Sequence, residues 1–244
     1  MKRKTRRILA YSSMMLFPLT LNYFSPFLSV HAAIIGIASG SIITFLVMMV
    51  SGIFFRRAWC SYVCPWAAPS EILSHINDEP VNRKTTRRIR YTIFTIWLGS
   101  ILLFFILAGG IPTIEPLYLT ERIVSMDEPI KFVAYYTVVI ILTGVTLLVG
   151  RRGSCQTMCW MSPFLEFGAW IGRKLGIRQY RVRALPSKCI TCTKCNQACP
   201  MSIDVMQSLR KGQIDDTECI QCGDCVDVCP TSVLSLDFKA VQKD

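Results

Sequence analysis

The sequence predicts a mainly α membrane protein: a four-helix transmembrane bundle followed by a small C-terminal α+β domain. Three observations carry this. Of the 244 residues, 52% are hydrophobic and only 18% charged, with mean hydropathy +0.40. Soluble domains average roughly 45–50% and about 25%, so a single soluble globular domain is excluded. Four uninterrupted apolar stretches approach the length needed to cross a bilayer. All twelve cysteines fall into short regular spacings and none stands alone, a pattern that suits metal ligation better than extracellular disulfides.

Residues 1–7 form a basic tail. The apolar segments that follow are Ile8–Leu28, Ala33–Phe55, Tyr91–Ile111 and Phe132–Val149, of 21, 23, 21 and 18 residues. About 20 helical residues span the roughly 30 Å of hydrocarbon. Pro18 and Pro26 are expected to kink the first segment, which a bundle accommodates, and a short turn is expected near Ser29–Ala32. The first segment imitates a secretory signal, with Lys2–Arg7 before it and Val30-His31-Ala32 after it. Its length, Asn22 and the two prolines favour an uncleaved membrane segment.

Orientation follows from Lys and Arg. Five lie in Met1–Arg7, seven in Arg56–Arg90 and seven in Gly150–Pro186, against none near Ser29–Ala32 and two in Ile111–Lys131. Both termini are therefore expected in the cytoplasm, with the chain in the cytoplasmic (inner) membrane. Net charge is +11, but residues 1–186 hold 21 Lys/Arg against 8 Asp/Glu, while residues 187–244 hold 6 against 8. Because the basic excess flanks apolar segments, membrane topology explains it and nucleic-acid binding is not expected.

Within the bundle lies an internal repeat. The second segment leads into Arg56-Arg57-Ala58-Trp59-Cys60-Ser61-Tyr62-Val63-Cys64-Pro65, and the fourth into Arg151-Arg152-Gly153-Ser154-Cys155-Gln156-Thr157-Met158-Cys159-Trp160. Each helical hairpin thus delivers Arg-Arg-x-x-Cys-x-x-x-Cys to the same membrane face. On a helix, residues i and i+4 share a face about 6 Å apart along the axis. Cys60, Cys64, Cys155 and Cys159 could together supply the four thiolates of an iron–sulfur cluster. A disulfide, a zinc ion or inert packed thiols are the alternatives. The arginine pairs read as anchors at the cytoplasmic face, and would also favour reduction of a net-negative cluster.

The linker 150–186 contains Pro163–Gly176, which reads as a short amphipathic helix on the inner surface, and Arg178–Arg183 leads on to the last domain. Residues 187–236 carry Cys189-x-x-Cys192-x-x-Cys195-x-x-x-Cys199-Pro200, repeated as Cys219-x-x-Cys222-x-x-Cys225-x-x-x-Cys229-Pro230. This is two-cluster bacterial ferredoxin spacing, in which the fourth cysteine of each run ligates the other cluster. One [4Fe–4S] cluster is therefore assigned to Cys189, Cys192, Cys195 and Cys229, the other to Cys219, Cys222, Cys225 and Cys199. Paired zinc sites would leave the third Cys-x-x-Cys step and the trailing Cys-Pro unused. A domain of about 50 residues has little apolar core, so the clusters themselves should hold it folded. Residues 237–244 form a tail.

Weaker signals are set aside. Thr143-Gly144-Val145-Thr146 faintly suggests covalent flavin attachment, but sits inside an apolar helix. His31 and His75, the two histidines, fall on opposite sides of the membrane, so haem held between them is not expected. Glu115, Glu121, Arg122, Asp127 and Glu128 read as a solvated loop, in which a carboxylate could accept quinol protons.

Four membrane helices, Cys-x-x-x-Cys after the second and fourth, and a terminal two-cluster ferredoxin resemble the NapH/MauN ferredoxin-type membrane proteins, over roughly residues 8–235. The larger NosR-like proteins share this core and add a flavin domain. The resemblance implies a membrane electron carrier of anaerobic respiration. It would work with the quinone pool, as the membrane component of a quinol dehydrogenase, and with a periplasmic iron–sulfur or cytochrome subunit of a respiratory reductase. Cys60, Cys64, Cys155 and Cys159 correspond to the family's membrane cysteines. One departure is that Cys159 precedes Trp160, where the family has Cys-Pro as in Cys64-Pro65. A redox sensor or maturation factor, or a ferredoxin-fed input subunit, are the alternative functions.

Overall fold

The computed structural model describes residues 3–110, 113–119, 129–209 and 212–239. The charged stretch Glu121, Arg122, Asp127 and Glu128 lies outside them.

The first expected segment is not one helix. α1 (Arg3–Met15) gives way to the short α2 (Phe17–Thr20) and a 3-10 turn (Leu21–Phe24), before α3 (Pro26–Ile35) begins. The cause is local. Proline has no N–H and fits only a first turn, and Pro18 and Pro26 occupy such positions in α2 and α3. Ser25 turns extended, and its hydroxyl accepts from the Leu28 amide at 3.3 Å, as an N-cap does. The turn expected at Ser29–Ala32 is therefore helical, lying within α3. Reversal comes later, at Gly36, whose φ of 80° is the left-handed value glycine tolerates.

β1 (Ile37–Ser39) follows and pairs in parallel with β2 (Thr113–Glu115), Ile37 opposite Thr113. The buried hydroxyls of Ser29 and Ser39 both bond that of Ser41, at 2.8 and 2.9 Å. α4 (Gly40–Phe55) is 16 residues long, shorter than the 23-residue apolar run because α3 and β1 consume its beginning. Among the described residues two helices are long and apolar enough to cross a membrane: α7 (Arg83–Leu107), which starts eight residues before its expected segment, and α8 (Pro129–Val149). Between α4 and α7 come α5 (Trp59–Tyr62) and α6 (Ala67–Leu73), and after α8 the five-residue α9 (Gly153–Thr157).

α10 (Ser162–Lys174) corrects the expectation of a surface helix. It packs along α4 with Leu165, Glu166, Gly168, Ala169 and Gly172 buried. The two backbones touch: a Cβ on Gly168 would lie 2.0 Å from the Met49 carbonyl oxygen, and one on Gly172 2.3 Å from that of Ile53. Phe164 stacks on Phe45 and meets Phe94 and Trp97 edge-on. Those partners lie well inside α4 and α7. Phe164 and Leu165 are thus covered by helices, while Phe167, Trp170 and Leu175 stay 51%, 42% and 69% exposed, so the apolar face is covered only in part.

The C-terminal domain also begins earlier than position 187. β3 (Gln179–Ala184) occupies the expected linker and pairs antiparallel with β4 (Leu234–Lys239), Gln179 opposite Lys239. Between them lie α11 (Lys194–Gln197), α12 (Val205–Leu209) and α13 (Asp224–Asp227). The core joins Val182, Met201, Ile203, Val205, Ile214, Ile220 and Val233 to the buried Cys195, Cys199 and Cys225.

Because the α4–α10 approach requires glycine, Gly168→Val should lower stability by about 3 kcal/mol or more, read as a fall in thermal midpoint of the purified protein. Gly99→Ala in α7, where a Cβ meets nothing within 4 Å, should be neutral or stabilising by up to about 1 kcal/mol.

Candidate metal centres

Each Cys-x-x-x-Cys begins on a helical turn too short to hold its second cysteine. Cys60 lies in α5 and Cys64 beyond it, closing with its amide on the Trp59 carbonyl at 2.9 Å. Cys155 lies in α9 and Cys159 beyond it. The pairs are thus less regular than i, i+4 on one helix, yet the turns converge. The Cys64 thiol interacts electrostatically with Cys60, Cys155 and Cys159 together. Burial pushes Cys60 and Cys64 up, and Cys159 to about 12, with the neighbouring thiols adding to the effect. Cys60, Cys64 and Cys159 resist ionising together unless a cation compensates them, which is the condition a metal site meets. Trp160, in place of the proline, donates its indole N–H to the Phe24 carbonyl at 3.2 Å, tying this turn to the break before α3.

Three of the four arginines in the repeat are buried in the protein. Arg56, Arg57 and Arg152 are 3%, 2% and 1% exposed. Arg152 donates to the Cys60 carbonyl at 3.2 Å, holding one turn from the other. Arg57 faces Cys60 and Cys159 and donates to Glu218 at 2.7 Å. Arg90 of α7 bonds Glu218 at 2.5 Å and Glu166 of α10 at 2.9 Å. The two guanidiniums hold the Glu218 carboxyl below the usual carboxylate range. Sequence reading did not single out this buried quartet. A lone Glu166 between Leu165 and Phe167, and Arg90 opening an apolar run, were its visible signals.

In the C-terminal domain the two cysteine runs share one backbone design. Thr191, Thr193 and Ser202 have positive φ, and so do Gln221, Gly223 and Ser232, thirty positions later in each case. The Cys199 thiol interacts electrostatically with Cys219 and Cys225, and Cys195 also acts on Cys225. A small apolar cavity is lined by Cys199, Cys219, Cys222 and Cys225 together with Ile203, Ile214 and Ile220. These four are the thiols that the spacing assigns to one cluster. Burial raises Cys219 to about 11 and Cys222 further. Cys195 interacts with Cys189 and Cys192. Cys229 bonds Thr231 and neighbouring amides, which lower it. No group of three or more His, Cys, Asp or Glu among the described residues is placed to hold a single metal ion.

The setting of the domain is specific. Ser61 and Tyr62, flanking Cys60 in α5, donate to the Ile220 and Gln221 carbonyls at 2.8 and 3.5 Å. Arg56 donates to the Ile214 and Asp216 carbonyls, Arg151 to that of Gln197 at 2.7 Å, and Arg6 of α1 to Asp224 at 2.9 Å. The equivalent Arg56 and Arg151 of the repeat thus grip the two halves of the domain. Thr146, from the faint flavin sequence, is buried and bonded to Leu142 and Ser154. His31 pairs with Tyr118 at 3.1 Å, and His75 is exposed.

A second cavity, of about 480 Å³, is almost wholly apolar. Cys64, Cys155 and Cys159 form one wall, Phe17, Leu21, Phe24 and Pro26 to Leu28 another, and Val138, Ile141 and Leu142 of α8 a third. Asn22, Ser25, Lys131 and Ser154 are its few polar groups. Glu115 lies outside it, exposed on β2.

A 4Fe-4S dicluster domain matches residues 188–234, and a 4Fe-4S binding domain matches twice, at 38–85 and 132–178. The double match falls on the two halves of the repeat. The chain is 24% identical over 203 residues, 78% of its length, to YccM of Escherichia coli (strain K12), provisionally named as an electron transport protein. It spans about half the length of that relative, 52%. No solved structure matches.

Removing Arg57 would leave Glu218 and Glu166 to Arg90 alone. Arg57→Met should cost about 3–5 kcal/mol, measured by denaturant unfolding. Arg57→Met combined with Glu218→Gln should recover part of the loss, because fewer buried charges stay unpaired.

Proposed function

We propose that this iron–sulfur electron-transfer protein sits in the cytoplasmic membrane and carries electrons between a quinol pool and partner redox subunits in anaerobic respiration. The observation that carries the reading is the 480 Å³ apolar cavity walled on one side by Cys64, Cys155 and Cys159. Its volume lies in the range of small-molecule sites, and so does its ratio of apolar wall to sparse polar groups. A flat, lipid-soluble quinol fits such a space, and its hydroxyls would find partners in Asn22, Ser25, Lys131 and Ser154.

Cys60, Cys64, Cys155 and Cys159 would hold a third cluster beside the cavity. Cys189, Cys192, Cys195 and Cys229, and Cys219, Cys222, Cys225 and Cys199, would hold the two of the ferredoxin domain. Such clusters supply one-electron carriage. The residues of this chain do the rest: Arg57 and Arg152 offset thiolate charge, α5 and the Ile220 loop bring two thiol sets close, and apolar walls exclude water. Both ends would lie in the cytoplasm, as the Lys and Arg distribution suggests, and the contact of Arg6 with Asp224 is compatible with a shared side. Partners across the membrane would be an iron–sulfur or cytochrome subunit of a reductase.

Anaerobically purified protein should contain about twelve irons, against about eight for the ferredoxin clusters alone. Added menaquinol should bleach its visible absorption. Leu142→Trp, which fills the cavity, should slow that bleaching about tenfold or more with iron unchanged. A count of eight unaffected by Cys155→Ser sinks the third cluster, and bleaching indifferent to Leu142→Trp sinks the quinol site.

The shared ligation gives an independent check. Cys199→Ala and Cys222→Ala should produce the same low-temperature EPR change, and Cys229→Ala should match Cys192→Ala. Grouping of Cys199→Ala with Cys192→Ala would mean that each contiguous run holds its own cluster.

A further inference from the structure

The two cysteine loops of the ferredoxin domain are copies of each other thirty positions apart, but only one of them is covered. Ile220 is 2% exposed beneath α5, while its counterpart Ile190 is 60% exposed. Gln221 is buried, while Thr191 and Cys192 are exposed. The backbone is the same in both loops, left-handed at Thr191 and Thr193 as at Gln221 and Gly223. The difference therefore lies in what the loops meet, not in how they are built.

Their charges are reversed as well. The covered loop is flanked by Glu218 and Asp224, met by Arg57 and Arg90 and by Arg6 respectively. At the corresponding positions the bare loop carries Lys188 and Lys194, both exposed. On the covered side, two acidic residues bracket an apolar isoleucine and find arginines. On the bare side, two cations bracket an exposed isoleucine, with Leu185 beside them at 61% exposure. An apolar centre with a charged rim is the anatomy of a protein contact, and the sign of the rim selects the partner.

We infer that the Lys188–Lys194 loop is a docking surface for a soluble, acidic one-electron carrier protein, which would seat carboxylates on Lys188 and Lys194 and an apolar contact on Ile190. The docking of the domain on its own membrane half is the template, with the charges exchanged. The domain would thus have an inward loop given to the bundle and an outward loop given to the carrier. The inference rests on the electron-carrier reading above, but fails separately from it.

The test uses the full-length, iron-loaded protein in detergent, with an acidic [2Fe–2S] ferredoxin as probe and basic cytochrome c as counter-probe. The acidic probe should bind, weaken steeply as salt rises to about 0.5 M, and be joined by carbodiimide to Lys188 or Lys194. Lys188→Glu with Lys194→Glu should raise its dissociation constant about tenfold or more, with iron content and spectrum unchanged. Ile190→Ala should weaken binding while leaving its salt dependence in place. Equal binding by the reversed variant, preference for cytochrome c, or cross-links elsewhere would overturn the proposal. So would cross-links joining two copies through this loop, which would make a second copy the occupant. Missing iron would count against the electron-carrier reading, whereas full iron with charge-independent binding counts against this one alone.

Discussion

Two arginines and two glutamates sealed from solvent tie together the parts of this molecule. Arg57 follows α4, Arg90 lies in α7, Glu166 in α10 and Glu218 just before Cys219. Burying four charges is expensive, and only mutual pairing repays it. No part can withdraw without stranding its partner's charge. That condition fixes where the ferredoxin domain sits, and so which thiols face each other. The grip on Ile214, Asp216 and Gln197 carbonyls extends the same fixation, since these donors satisfy backbone groups that docking would otherwise bury unpaired.

The quartet also bears on where Cys60, Cys64, Cys155 and Cys159 sit. α10 descends against α4 at glycine distance, which brings Glu166 to Arg57 and Arg90. Cys159 and Trp160 precede α10 in the chain and are drawn toward Phe24 and Trp59. Cys64, Cys155 and Cys159 therefore end beside a cavity, and burial raises Cys64 and Cys159. A site placed so can meet a lipid-soluble molecule on one side and a water-soluble domain on the other.

What the sequence made legible was set by how local each signal is. The cysteine runs were readable because ligand spacing is a property of a few consecutive residues, and the dicluster match at 188–234 falls on them. The long helices α7 and α8 were readable from continuous apolar runs. The break of the first segment was half visible: Pro18 and Pro26 announced a kink, but not that Ser25 would cap a new helix and move the reversal to Gly36. β3 was missed because Arg178–Arg183 looks like a charged linker. Its period-2 pattern has meaning only with β4, more than fifty residues later. α10 showed its apolar face without showing what would cover it. The arginine pairs misled for the same reason: a buried guanidinium and an interfacial one look alike until partners such as Glu218, 161 positions away, are in place.

The bond between Arg6 and Asp224 joins residues 218 positions apart. Its consequence is one of timing. Contacts of such separation form only after all the residues between them exist, and loop closure over that span must be paid before they contribute. Arg6 can meet Glu71, 65 positions on, well before its second carboxylate, Asp224, is made. Synthesis runs in one direction, yet assembly closes as a ring, and Arg6 is its clasp.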